Sequence, residues 1–144
     1  MIASATTEAV FVRMNSDATL RSLVNVFKPG GNLNIYTAAP IPESAEYPLI
    51  LSAGNVSILP WDTKTTRGFD VSRDIVVYDN ATHTMLLVEQ VADRIHELFH
   101  RFPLQPSGFL PAIVSECQGP TGAPTSEDYV GMMVQCSWKF EKTP

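Results

Sequence analysis

Five consecutive residues, His96-Glu97-Leu98-Phe99-His100, carry the pattern with the clearest chemistry in this sequence. In H-E-x-x-H, two histidines one helical turn apart bind zinc, and the glutamate between them acts as general base. A small zinc-dependent hydrolase using His96, Glu97 and His100 is therefore the one reaction the residues suggest. A catalytic zinc also needs a third protein ligand. The candidates, Glu116, Glu127 and Asp128, lie in or beside the last strands, no third histidine follows at short spacing, and Pro103 comes soon after His100. Without that ligand the two histidines read as decoration on the solvated face of an amphipathic helix, with Glu89 and Asp93 behind them, and no zinc is expected. Nothing else asks for chemistry. Cys117 and His83 sit in no nucleophile and base signature, and there is no G-x-S-x-G elbow, P-loop or dinucleotide fingerprint.

The elements that would position these residues follow from periodicity. Thr82 or Asn80 opens the clearest helix, which runs to about Phe102 ahead of Pro103. Val88, Val91, Ala92, Ile95, Leu98, Phe99 and Phe102 form its apolar stripe, with Glu89, Asp93, Glu97 and Arg101 off it. Upstream, Thr7 to Met14 and Asp17 to Phe27 have helical spacing, with Ser16 or Asp17 as a cap and Lys28-Pro29-Gly30-Gly31 as a stop. Leu33 to Tyr36 reads as a short strand, followed by an extended Ala39-Pro40-Ile41-Pro42. Tyr47 to Leu59, bulged at Gly54, pairs as a hairpin with Arg67 to Tyr78 across the turn Leu59 to Thr66. Leu110 to Gln118 and Tyr129 to Phe140 make a second hairpin around GPTGAPTSED, with Val130, Met132, Val134, Cys136, Trp138 and Phe140 alternating.

These elements predict one α+β domain over residues 1–144: an antiparallel sheet of about four strands, in two hairpins, with one long helix and a short N-terminal helical segment on one face. The helix is expected to lay its stripe on the sheet face of Val130, Val134 and Trp138. A hairpin centred at Gly122 to Ala123 sets Cys136 opposite Leu110, leaving Cys117 about 20 Å along the ladder. No disulfide between Cys117 and Cys136 is then expected.

Composition narrows the function classes. With 44% hydrophobic and 17% charged residues, the 144-residue chain has a globular balance. Its net charge is -5, and its lysines and arginines are scattered, which disfavours nucleic-acid binding. No apolar run approaches the ~20 residues of a membrane span. The first residues do not read as a secretory signal, and two cysteines suit a reducing compartment.

One surface feature stands out. Trp61 lies in the polar segment PWDTKTTR with no apolar neighbour at strand or helix spacing, and Asp62, Lys64 and Arg67 surround it. An aromatic anchor inside a mixed charged rim is how interfaces concentrate binding energy. Trp61, Asp62, Lys64 and Arg67 are therefore expected to make an intermolecular contact, against the alternative that Trp61 folds back over the sheet edge.

The order of landmarks resembles a family. TEAVFVRMNSDATLRSLV (residues 7–24), Asn34-Ile35-Tyr36, Ala39-Pro40, Tyr47-Pro48-Leu49-Ile50, Arg73-Asp74-Ile75-Val76-Val77-Tyr78, a long helix and the closing strand Tyr129 to Phe140 resemble phage tail-completion proteins of the tail-terminator type. The resemblance implies a virion subunit without catalytic residues or cofactor. Such subunits form a ring, hexameric in relatives, that caps the head-proximal end of the tail tube, stops its polymerisation and meets the head connector. DNA would pass through the bore without specific binding, since an acidic ring repels it. A head-tail connector or a tail-tube subunit is the nearest alternative. A small-molecule or peptide-binding module using the sheet's concave side is another.

Overall fold

A computed structural model describes residues 2–24, 35–37, 48–52, 56–80, 85–123 and 129–143. The elements are α1 (Ile2–Asn15), α2 (Ala18–Val24), β1 (Ile35–Tyr36), β2 (Leu49–Leu51), β3 (Val56–Asp62), β4 (Arg67–Asn80), α3 (Met85–Phe99), β5 (Val114–Gly122) and β6 (Tyr129–Glu141). They build the α+β architecture read from the sequence, with the helices against one face of a largely antiparallel sheet. Among the described residues the sheet has six strands, where about four were expected, in the order β1-β2-β4-β6-β5, with β3 also on β4. Its spine is the pair of long strands β4 and β6, which run antiparallel from Gly68↔Glu141 to Asn80↔Tyr129.

The single strand expected from Tyr47 to Leu59 is two strands, β2 and β3, each paired with β4. From Leu51 to Val56 the chain advances five positions while the β4 partners step only three, from Val76 to Arg73, so the two ladders cannot be one regular strand. The expected bulge at Gly54 lies outside the described residues, as do the proposed helix stop at 28–31 and the extended segment 39–42. At the sheet's far edge β1 runs parallel to β2, with Ile35 opposite Ile50. Asn80, one of two proposed helix starts, belongs to β4, and Thr82 lies outside the described residues.

Alternation along β4 and β6 sorts the side chains. Val71, Ile75 and Val77, with Val134, Cys136, Trp138 and Phe140, are buried in one core with the helices. Asp70, Ser72, Gln135 and Ser137 lie on the opposite face and are exposed. The α3 stripe packs as its spacing requires: Val88, Val91, Ala92, Ile95, Leu98 and Phe99 are buried, and Phe102 is partly buried against them. The Phe99 ring meets Trp138 edge-on at 5.9 Å. Val10 and Met14 of α1 and Leu20 and Val24 of α2 complete the layer. Asp17 caps α2, its Oδ2 accepting from the Leu20 amide at 2.8 Å.

The second hairpin corrects an expectation. Cys117 stands directly opposite Cys136, not seven residues from its partner position. The cause is GPTG (residues 119–122), which reads as turn chemistry yet belongs to β5. Gly119 adopts φ 96° at a bulge between Gln118 and Thr121, and the strand then resumes with Thr121 opposite Met133. Only glycine takes that left-handed position without penalty, so the residue that looked like a stop is a kink within the strand.

Candidate functional site

The two histidines of the H-E-x-x-H motif meet strand β5, and among the described residues no third ligand joins them. At the end of α3 the rings of His96 and His100 stack 4.8 Å apart. His96 Nε2 lies 3.1 Å from the Cys117 carbonyl oxygen, and the Cys117 amide donates to His100 Nδ1, also at 3.1 Å. These partners assign the proton of His96 to Nε2 and leave Nδ1 of His100 bare. β5 is an edge strand, and every other residue on an edge turns its N–H and C=O away from the sheet. The two histidines satisfy both groups of Cys117. Two residues earlier the Ser115 carbonyl accepts from the Arg101 amide at 2.9 Å, and Ser115 Oγ donates to the Phe99 carbonyl at 2.7 Å.

Glu97 turns away from this clasp. Arg94 Nη1 holds its carboxylate at 3.0 Å, and the same guanidinium reaches Asp17 through Nε at 3.0 Å and Nη2 at 2.7 Å. The Arg94 hydrogen bond draws the Asp17 carboxyl below its usual value, outweighing partial burial, and Asp17 in turn raises Arg94. So α3 is tied to the N-cap of α2 on one side and to an edge strand on the other. Glu116 is exposed on β5, and Glu127 and Asp128 fall outside the described residues. Among the described residues no three histidine, cysteine or carboxylate side chains gather to hold a metal. The pair is a structural clasp, which corrects its reading as solvated decoration. Periodicity placed the histidines off the apolar stripe but carried no information on which strand edge would meet them.

Two buried groups were not legible in the sequence as sites. Cys117 and Cys136 are free thiols whose sulfurs lie 2.9 Å apart, and both are buried. The hydrogen bond with Cys117, then burial, pushes the Cys136 thiol far up. Arg73 on β4 is 3% exposed. Its Nη1 donates to the Ser52 carbonyl at 2.8 Å and its Nη2 to Thr7 Oγ1 at 2.6 Å, linking β4 to α1 and the end of β2, while burial lowers its pKa.

The residues singled out around Trp61 do share one end of the sheet. Asp62 closes β3, Arg67 opens β4, and the connecting turn is held by Thr63 N–H to Thr66 O at 2.9 Å. Asp62, Lys64 and Arg67 are exposed. Trp61 is half-buried: it lies over Gly68, its direct partner, where a Cβ would meet the indole at 2.1 Å. Lys139 Nζ sits 4.9 Å from its ring centre, a cation–π contact. The glycine notch is the apolar neighbour that sequence spacing did not reveal. Leu59, on the same face of β3, is 63% exposed. On the opposite edge Leu110, Ile113 and Val114 are exposed as well, so one chain carries two different apolar edges.

No protein-family model matches the sequence, and no curated protein matches it either. Among solved structures, a chain described as "Virion of native gene transfer agent (GTA) particle" superposes with a TM-score of 0.76, over 96% of this chain and 96% of that one. The two share a fold. At 18% identity the likeness is one of architecture, and it spans nearly the whole chain.

Proposed function

We propose that this chain is a structural virion protein, not an enzyme, and that it acts as a tail terminator. In this reading its copies form a ring, a hexamer by the resemblance stated above, on the head-proximal end of a phage or phage-like tail tube. The ring ends tube polymerisation and presents a surface to the head connector. The observation that carries the reading is the shared fold with a chain of a gene transfer agent virion across nearly the full length of both. Two further features support it. The motif closest to catalysis is spent on holding β5 to α3. And the two apolar edges, Leu59 with Trp61 on one side and Leu110, Ile113 and Val114 on the other, are non-identical, as a head-to-tail interface that closes into a ring requires.

The test is assembly. Light scattering and negative-stain images of the purified chain, alone and mixed with tail tubes, should show closed rings or density at one tube end. A chain that stays monomeric in both conditions overturns the proposal. Open-ended filaments of the chain alone would instead identify a tube subunit.

A further inference from the structure

The two thiols in the second hairpin form a pair that neither catalysis nor assembly accounts for. Cys117 lies on edge strand β5 and Cys136 directly across from it on β6. Because His96 and His100 take the outward-facing carbonyl and amide of Cys117, those groups make no bond to β6, so the two cysteines occupy a non-hydrogen-bonded pair. At such positions the Cα atoms of an antiparallel ladder approach to about 4.5 Å and the side chains lie closest. That separation falls in the window a disulfide needs. The sulfurs are already 2.9 Å apart and both side chains are buried, and among the described residues no metal-holding cluster includes them.

We propose that Cys117 and Cys136 are a disulfide-forming site, a cross-strand staple that a low-molecular-weight disulfide oxidant closes. Cys117, on the edge strand and 6% exposed against 1% for Cys136, is the sulfur that an oxidant reaches first. Its thiolate attacks the oxidant's S–S bond, forming a mixed disulfide and expelling one thiol. Cys136 then attacks the Cys117 sulfur, forming the protein S–S bond and expelling the second thiol. Two protons and two electrons pass from the cysteines to the oxidant, which leaves as two thiols. The product joins the outer strand to the spine of the sheet at the point where the histidine clasp joins it to α3. One covalent bond then reinforces the junction of α3, β5 and β6, which hydrogen bonds and core packing hold in the reduced chain.

The experiment uses the purified full chain with oxidised glutathione, once in buffer and once at the urea midpoint followed by dilution, so that burial cannot mask the result. Intact mass should fall by two hydrogens with no covalent link between chains. Both thiols should then resist alkylation after denaturation, and the melting temperature should rise by about 10 °C and return on reduction. C117S and C136S should show neither the mass loss nor the gain in melting temperature. Thiols that remain alkylatable after both treatments, links only between chains, or an intrachain disulfide that lowers the melting temperature would each overturn the proposal.

Discussion

His100 illustrates how one side chain can have opposite meanings in sequence and in structure. If it is the acceptor for the Cys117 amide, His100→Ala leaves a part-buried N–H without a partner and should cost about 1–3 kcal/mol in urea unfolding. Glu97→Ala, which loses only an exposed ion pair, should cost less than about 0.5 kcal/mol. A hydrolase would display a different pattern: one zinc per chain by elemental analysis, with activity destroyed by either change and stability affected through metal loss. Asp17 supplies a pH-dependent test of the neighbouring tie. Its carboxyl is lowered below 3.8 in the folded chain, chiefly by the Arg94 hydrogen bond. Its stabilisation is therefore complete above that value and is lost as pH falls through the lower folded value. Urea midpoints measured from pH 5 down to pH 2 should fall less steeply for Asp17→Asn than for the parent chain, and an unchanged slope would mean that the Arg94 contact contributes nothing.

Among the elements, α3 was the most legible, because a stripe recurring every three to four residues can satisfy only a helix lying on a flat apolar surface. Ile95→Ala and Leu98→Ala should each cost about 2–5 kcal/mol, since both side chains are buried in the common core. The end of α3 was less legible. The helix stops at Phe99, and Arg101 takes φ 59°, a left-handed conformation that carries a penalty for any residue with a Cβ. Arg101→Gly should accordingly raise stability by up to about 1 kcal/mol, and a loss would show that the arginine side chain holds the turn. Hairpin β3–β4 could be read from its turn residues, whereas hairpin β5–β6 could not be registered, because Gly119 marks a bulge and a turn with the same residue type. Parallel pairing of β1 with β2 was out of reach for another reason. Strands of two and three residues leave no period to detect, and a parallel pair is set by the path of the chain between them.

At the scale of the whole molecule, the outline of the sheet decides where another copy can meet it. The β5 edge is closed near Ser115 and Cys117 by the end of α3, so a neighbour there meets side chains such as Ile113 and Val114 instead of free backbone. The other edge ends in the β3–β4 tip, where Trp61 rests in the Gly68 notch with Lys139 above it and its Nε1 buried without a partner. With the N–H covered, a neighbouring subunit would meet the exposed part of the ring and the charged rim. The two alternatives weighed for Trp61 thus converge, because the ring folds onto the sheet and still presents a partly exposed aromatic beside exposed Asp62, Lys64 and Arg67. Truncation separates the roles. Trp61→Ala uncovers only a surface notch, so the isolated subunit should lose no more than about 1–2 kcal/mol. In the proposed ring it would remove an anchor of the type whose loss commonly costs 2 kcal/mol or more at each interface. Repeated around a closed ring, that loss should abolish rings in light scattering at concentrations where the parent chain assembles. Melting far below the parent, with rings intact, would assign Trp61 to the fold alone and move the contact elsewhere on the chain.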